Sequence, residues 1–122
     1  MSAGLVFLVG RFFHAKEIGL FDRVLHGNIS EEAESAIFSS GYVLHSLEAS
    51  LWCLLNSENY AETVLRAVNL GDDTDTTGAI AGGLAGLYYG DAQIPANWIA
   101  VLSRKDDILD LCERFAQSVE SK

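Results

Sequence analysis

The sequence is poor in residues that would restrain or cross-link a chain. Among 122 residues there is one proline and there are two cysteines. Proline breaks helix interiors, so its scarcity leaves long stretches free to be helical. Cys53 and Cys112 are too few for a disulfide framework or a cysteine zinc cluster. They read as free, partly buried thiols, and a reducing, cytoplasmic setting is expected. Positive charge is also scarce: eight Lys and Arg stand against 17 Asp and Glu, a net charge of −9. General binding to a nucleic-acid backbone needs clustered cations and is excluded. A nucleotide is not excluded, because a metal can bridge acidic side chains to an anion. Long apolar runs are missing too. The N-terminal stretch from Gly4 to Gly10 is apolar but too short to span a membrane, and no basic region precedes it. Linkers, low-complexity tracts and repeats are absent, so a single helical domain over residues 1–122 is expected, with no membrane segment.

Helical periodicity fills most of the chain. Residues 4–14 are continuously apolar up to Arg11 and His14, a pattern that fits a buried helix or a buried strand. Ser30, followed by Glu31, Glu32 and Glu34, predicts a capped helix running to about Ser39, with Gly41 breaking the pattern. Over residues 43–55, Val43, Leu47, Leu51, Leu54 and Leu55 fall at helical spacing, with Glu48 on the opposite, polar side. Ser57 predicts the cap of a helix whose apolar positions are Tyr60, Val64, Leu65 and Val68. Another helix is expected from near Asp75 or Thr76. Its glycines, Gly78, Gly82, Gly86 and Gly90, recur every four residues and form one stripe. Each mid-helix glycine costs roughly 1 kcal/mol against alanine, so such a stripe predicts a very close neighbour. Pro95 suits the first turn of a short helix through Leu102. A final amphipathic helix is expected from Lys105 to Val119, with Ile108, Leu109, Leu111, Cys112, Phe115 and Val119 apolar. No alternating strand pattern appears, and the predicted fold class is all-α, a compact multi-helix bundle.

The chemistry concentrates at Gly71-Asp72-Asp73-Thr74-Asp75-Thr76-Thr77-Gly78. Three carboxylates within four positions repel one another, and a proton or a cation relieves the repulsion. Oxygen donors favour a hard cation such as Mg²⁺ or Ca²⁺. A plain turn with a helix cap is the competing reading. Asp73-x-Asp75-x-Thr77-Gly78 fits the first half of an EF-hand loop, but Leu84 occupies the twelfth position, where a bidentate Glu is required. The calcium-loop reading is therefore rejected. His14 and His26 have no metal-ligand spacing with each other. His45 reads as an ordinary core or surface histidine, and Glu48 as an ordinary polar-face residue and only a weak general-base candidate. Catalytic residues are not identified from the sequence.

The acidic segment, together with Ala81-Gly82-Gly83-Leu84-Ala85-Gly86-Leu87-Tyr88-Tyr89-Gly90, resembles the C-terminal metal motif of the ADP-ribosylglycohydrolases of the dinitrogenase-reductase-activating type. Ile94-Pro95-x-x-Trp98 and Gly41-Tyr42-Val43-Leu44-His45-Ser46-Leu47-Glu48-Ala49 are also similar to that family. The likeness covers about residues 36–115, with 1–30 divergent. It implies an all-helical fold, two Mg²⁺ ions, and hydrolysis of the linkage between ADP-ribose and a modified side chain or related compound. By the resemblance, Asp73, Asp75 and Thr76 are metal ligands, Asp72 is their neighbour, and Gly41 and Tyr42 lie where the adenosine part of an ADP-ribose-type ligand or ADP-ribosylated protein packs.

The family's second ligand set, a Thr-Asp-Asp cluster, has no counterpart here. Asp106-Asp107 follows Lys105 at a helix start and reads as a solvated cap. The expectation is thus a short chain carrying half of a dinuclear site, either completed by a second chain or persisting as a non-catalytic nucleotide-binding or oligomerising remnant. The glycine stripe and apolar N-terminus further suggest a homo-oligomer, with a two-fold dimer the simplest form.

Overall fold

The computed structural model describes residues 15–121. The apolar stretch read at 4–14, His14 included, lies outside the described residues. Two short helices, α1 (Ala15–Ile18) and α2 (Asp22–Leu25), flank a 3₁₀ turn at Gly19–Phe21. Two more 3₁₀ turns, Ile29–Glu31 and Glu34–Ala36, lead to α3 (Val43–Leu55), α4 (Tyr60–Asn69) and α5 (Thr74–Tyr89). A 3₁₀ turn at Asp91–Gln93, α6 (Ala96–Ala100) and α7 (Lys105–Glu120) follow. The fold is all-α, and the described residues contain no strand.

Helices α3, α4 and α5 pack on one another and form the core. One side of α5 is made of small buried residues, Thr77, Ala81 and Ala85. Small side chains on α3 (Ser46, Ala49, Ser50 and Cys53) are buried with them. The glycine stripe of α5 faces α4. A Cβ on Gly78 would lie 3.0 Å from Val68 Cγ1, and one on Gly82 would lie 3.3 Å from Tyr60 Oη and 3.7 Å from Val64 Cγ2. At Gly86 the nearest neighbour is Tyr60 Cε2, at 3.9 Å. Tyr60, Val64 and Val68 are themselves four residues apart, so two stripes of equal spacing interdigitate in antiparallel order. The fourth glycine has a different task. Gly90 has nothing near its missing Cβ and adopts φ 89°, a left-handed value that ends α5.

The chain between Ile29 and Tyr42 departs from the helix expected there. Its carbonyls are claimed by side chains of other elements, which takes them out of any helical ladder. Trp52 Nε1 donates to the Glu32 carbonyl at 2.9 Å, Asn56 Nδ2 to that of Ser30 at 3.1 Å, and Arg23 Nη2 to that of Ala36 at 3.2 Å. Ile29 and Ile37 are the buried anchors, and the Ser30 hydroxyl donates to Asn28 Oδ1 without capping a helix. Ser57 does not cap α4 either. Asn59 does, accepting the Glu62 N–H at 2.8 Å, while the Ser57 hydroxyl donates back to the Cys53 carbonyl.

Glu48 also differs from its reading. It is 5% exposed and pairs with Arg23 Nη1 at 3.3 Å, which ties α2 to α3. Cys53 is buried, whereas Cys112 is exposed on α7 and not partly buried. No residue of α7 is buried, so its apolar positions Ile108, Leu111, Phe115 and Val119 face away from the core. No helix among the described residues is long and apolar enough to cross a membrane.

Candidate functional site

The chain reverses between α4 and α5 through Gly71 and Asp72, whose φ angles are 84° and 58°. Glycine has no Cβ to clash there, and aspartate tolerates the left-handed region better than most residues. The reversal delivers Asp73 to the N-terminus of α5. Its N–H donates to the Ser39 carbonyl at 2.8 Å and its carbonyl accepts the Thr77 N–H at 3.2 Å. Its carboxylate makes no capping hydrogen bond to the helix. It is therefore left for other partners.

The first of these is Asp75. A side-chain hydrogen bond with Asp73, together with the Thr76 N–H on Oδ1 at 3.0 Å, holds the Asp75 carboxyl below its usual range. Repulsion between neighbouring carboxylates is relieved by a proton or a cation. The second neighbour is Gly41: a Cβ there would lie 3.0 Å from Asp73 Oδ2. A side chain there would crowd the tip of the carboxylate and make it shift, so glycine lets the two loops close on each other without displacing Asp73.

The structure thus brings Asp73, Asp75, the Thr76 backbone and Gly41 to one place. Asp72 forms the turn that precedes them. Among the described residues no three His, Cys, Asp or Glu side chains converge as a metal cluster. Asp73 and Asp75, with the exposed hydroxyl-bearing Thr76 beside them, offer only oxygen donors, a set that fits one side of a Mg²⁺ site and leaves most coordination positions to other groups. Thr77, one residue on, is a different case: its hydroxyl is buried and spent on Ser39 at 2.6 Å.

Tyr42 sits just before α3 and is half exposed. With Leu20, Phe21, Val24 and Leu47 it lines an apolar groove of about 430 Å³. Phe38 and His45 adjoin it. The His45 ring lies 5.4 Å from Phe38 and 5.1 Å from Tyr42, and His45 Nδ1 is 2.7 Å from Ser40 Oγ. Reading the sequence missed Ser39, Ser40 and Phe38. Their only signal was position, because they fall in a segment that reads as helix end and loop. Glu48, the weak base candidate, is buried and committed to an ion pair with the partly exposed Arg23.

Comparison with known proteins identifies the family. A model of the ADP-ribosylglycohydrolase family matches residues 8–122. An ADP-ribosylarginine hydrolase, Tri1, of Serratia proteamaculans is 40% identical over 89 residues, covering 73% of this chain and 24% of that protein. The ADP-ribosyl-[dinitrogen reductase] glycohydrolase of Rhodospirillum rubrum is 37% identical over 67 residues, covering 55% of this chain and 23% of that protein. The ADP-ribosylhydrolase ARH3 of Gallus gallus is 42% identical over 40 residues, covering 33% of this chain and 11% of that protein. The chain spans about a quarter of the length of the first two relatives. With the family model matching nearly the whole chain, the conclusion is plain: the chain belongs to the ADP-ribosylglycohydrolase family.

Proposed function

We propose that this chain supplies the adenosine-facing wall and one half of the metal site of an Mg²⁺-dependent ADP-ribosyl hydrolase. The observation that carries the reading is the close approach of the Asp73 carboxylate to Gly41, the residue before Tyr42, at the start of the Asp73-x-Asp75-Thr76 loop. Asp73, Asp75 and Thr76 would hold the cation, with Asp72 flanking them. Tyr42 would offer a flat face to the adenine of an ADP-ribose-type ligand or an ADP-ribosylated protein. Bound Mg²⁺ supplies orientation of the ribose hydroxyls and a more acidic water for attack at the anomeric carbon. The chain's own residues position that chemistry. The α5 N-terminus favours ionised Asp73 and Asp75, Gly41 admits the Asp73 carboxylate, and the apolar groove gives the half-exposed Tyr42 a nonpolar surround. The relatives are named for hydrolysis of ADP-ribosylarginine and of ADP-ribosyl-dinitrogen reductase. An ADP-ribosyl linkage on a side chain is accordingly the substrate class proposed here. The remaining ligands would come from another polypeptide segment, in a reducing, cytoplasmic setting that suits the free thiols.

Calorimetry with Mg²⁺ and ADP-ribose tests this. The wild type should bind ADP-ribose with an affinity that rises with Mg²⁺, and Asp75→Ala should lose that dependence. Equal heats from the two proteins would remove the inherited site.

A second reading is favoured by the uncovered apolar face of α7, where Phe115 is 68% exposed. In it the chain is a non-catalytic module that self-associates through such surfaces. Light scattering at rising dilution and an assay for Mg²⁺-dependent ADP-ribose release separate the two. Stable oligomers without turnover favour the second, and turnover with a complementing chain favours the first.

A further inference from the structure

Tyr42 is held by a circuit of contacts that starts at its backbone and returns to its ring. The Tyr42 N–H donates to Ser40 Oγ at 3.3 Å, and Ser40 Oγ lies 2.7 Å from His45 Nδ1. The His45 ring then meets the Tyr42 ring edge to face, with 5.1 Å between centroids and 89° between planes. Edge-to-face contact is a favoured aromatic geometry and fixes one ring against the other. Phe38 contacts the same imidazole, 5.4 Å away and tilted by 39°. The loop itself is anchored from below. Ser46, 2% exposed, donates its hydroxyl to the Ser40 carbonyl at 3.0 Å and lies 3.2 Å from that of Tyr42.

We infer that His45 is a positioning residue for the ligand face of Tyr42, acting through the Ser40 hydroxyl on one side and the aromatic edge on the other. A half-exposed tyrosine at a loop end would otherwise lose side-chain freedom each time a planar group stacked on it, and a ring already held pays less of that cost. The histidine suits the task because one ring supplies both a hydrogen-bonding nitrogen and an aromatic edge. An alanine supplies neither, and a phenylalanine only the edge. The inference rests on the reading that Tyr42 faces the ligand.

The test has two arms. In the first, affinity for ADP-ribose with Mg²⁺ is measured for Tyr42→Ala, His45→Ala, His45→Asn, Ser40→Ala and the double variant Tyr42→Ala/His45→Ala, with thermal melting as the folding control. Tyr42→Ala should weaken binding by roughly five- to hundredfold, the range of a lost base–aromatic stack. His45→Ala and Ser40→Ala should each weaken it severalfold. His45→Asn, which keeps a polar atom near the Nδ1 position, should recover part of the loss. In the Tyr42→Ala background His45→Ala should change affinity less than twofold, because nothing remains for it to position. An equal loss in both backgrounds would show that His45 acts independently and would overturn the inference.

The second arm needs no ligand. The Tyr42 ring resonances, read by NMR in the free protein, should shift in Ser40→Ala, and the shift should shrink in a His45→Ala background, where Ser40 keeps only its contact with the Tyr42 N–H; an equal shift in both backgrounds would overturn the relay. Unchanged ring resonances in Ser40→Ala would overturn it too. Should the wild type bind no ADP-ribose at all, the proposed function fails, while the ring resonances still decide whether His45 positions Tyr42.

Discussion

Ser39 and Thr77, 38 positions apart in sequence, place their hydroxyls 2.6 Å from each other in the buried interior. The same Ser39 accepts the Asp73 N–H through its carbonyl. The irregular segment before α3 and the start of α5 are therefore clasped twice, and the clasp carries the acidic loop. Thr77→Val keeps the side chain's shape but leaves the Ser39 hydroxyl buried without a partner, at a cost of about 1–3 kcal/mol. Adding Ser39→Ala should recover part of that loss, so the double variant should be less unstable than the sum of the singles. Urea denaturation of the three variants measures it.

The glycines of α5 should respond to alanine in opposite directions. Gly83 has nothing within 4 Å of the point where a Cβ would sit. Gly83→Ala should stabilise the protein by about 0.5–1 kcal/mol through helix propensity and a less flexible unfolded chain. At Gly78 the new methyl would meet Val68 Cγ1 at 3.0 Å. The β-branched valine has little rotamer freedom to yield, so Gly78→Ala should be destabilising. Melting temperatures of the two variants should fall on either side of the wild type.

Gly41 serves the site more than the fold, since it is exposed and its constraint is the Asp73 carboxylate. Gly41→Ala should leave the melting temperature within a few degrees of wild type while weakening Mg²⁺-dependent ADP-ribose binding severalfold. A large loss of stability with unchanged binding would contradict this.

Burial pushes the Cys53 thiol up to about 11, against the opposing pull of Arg66. The neutral thiol is the favoured folded form, so the unfolded chain ionises first as pH rises. Its contribution to stability is fully present below about pH 9 and is lost as pH climbs through 11. Relative to Cys53→Ala, the wild type should lose on the order of 2–3 kcal/mol between those limits. Urea titrations at stepped pH read the difference. At neutral pH a thiol reagent should label the exposed Cys112 at once and Cys53 only on unfolding.

Arg23 carries the attachment of the N-terminal helices, through Glu48 at 3.3 Å and the Ala36 carbonyl at 3.2 Å. Arg23→Ala leaves the buried Glu48 carboxylate without its partner, so a loss of about 2–3 kcal/mol is expected. Glu48→Gln, which keeps the shape and removes the charge, should cost less. Chemical denaturation of both checks the order.

The helices that carry strong periodicity were legible in advance. Val43–Leu55 appears with the boundaries its leucines predict, and Lys105–Glu120 differs by one residue from the amphipathic span. Errors fell where side chains from distant elements capture the backbone. Ser30 with its three glutamates has a good local helix-start pattern, yet Trp52, Asn56 and Arg23 take the carbonyls that a helix would use. Ser57 looked like a cap because it is a cap residue in the right region, but Asn59 lies closer to the first turn of α4 and wins the Glu62 N–H. Glu48 was misread because helical spacing shows which face a residue occupies and not what covers that face.

By itself, the sequence determined the helical class, the small-residue stripe of α5, and the acidic Asp73-x-Asp75-Thr76 pattern together with the family it resembles. Each of these is local, resting on spacings of two to four residues that backbone geometry converts directly into shared faces. Tertiary structure decided which of the local features meet. It matched the glycines of α5 to Tyr60, Val64 and Val68, laid Gly41 against Asp73, and placed Ser40, His45 and Tyr42 in one circuit. The reason is physical: a carboxylate's neighbours across a loop, or a ring's partner, follow from packing and hydrogen-bond competition among elements tens of residues apart, and no local period encodes them.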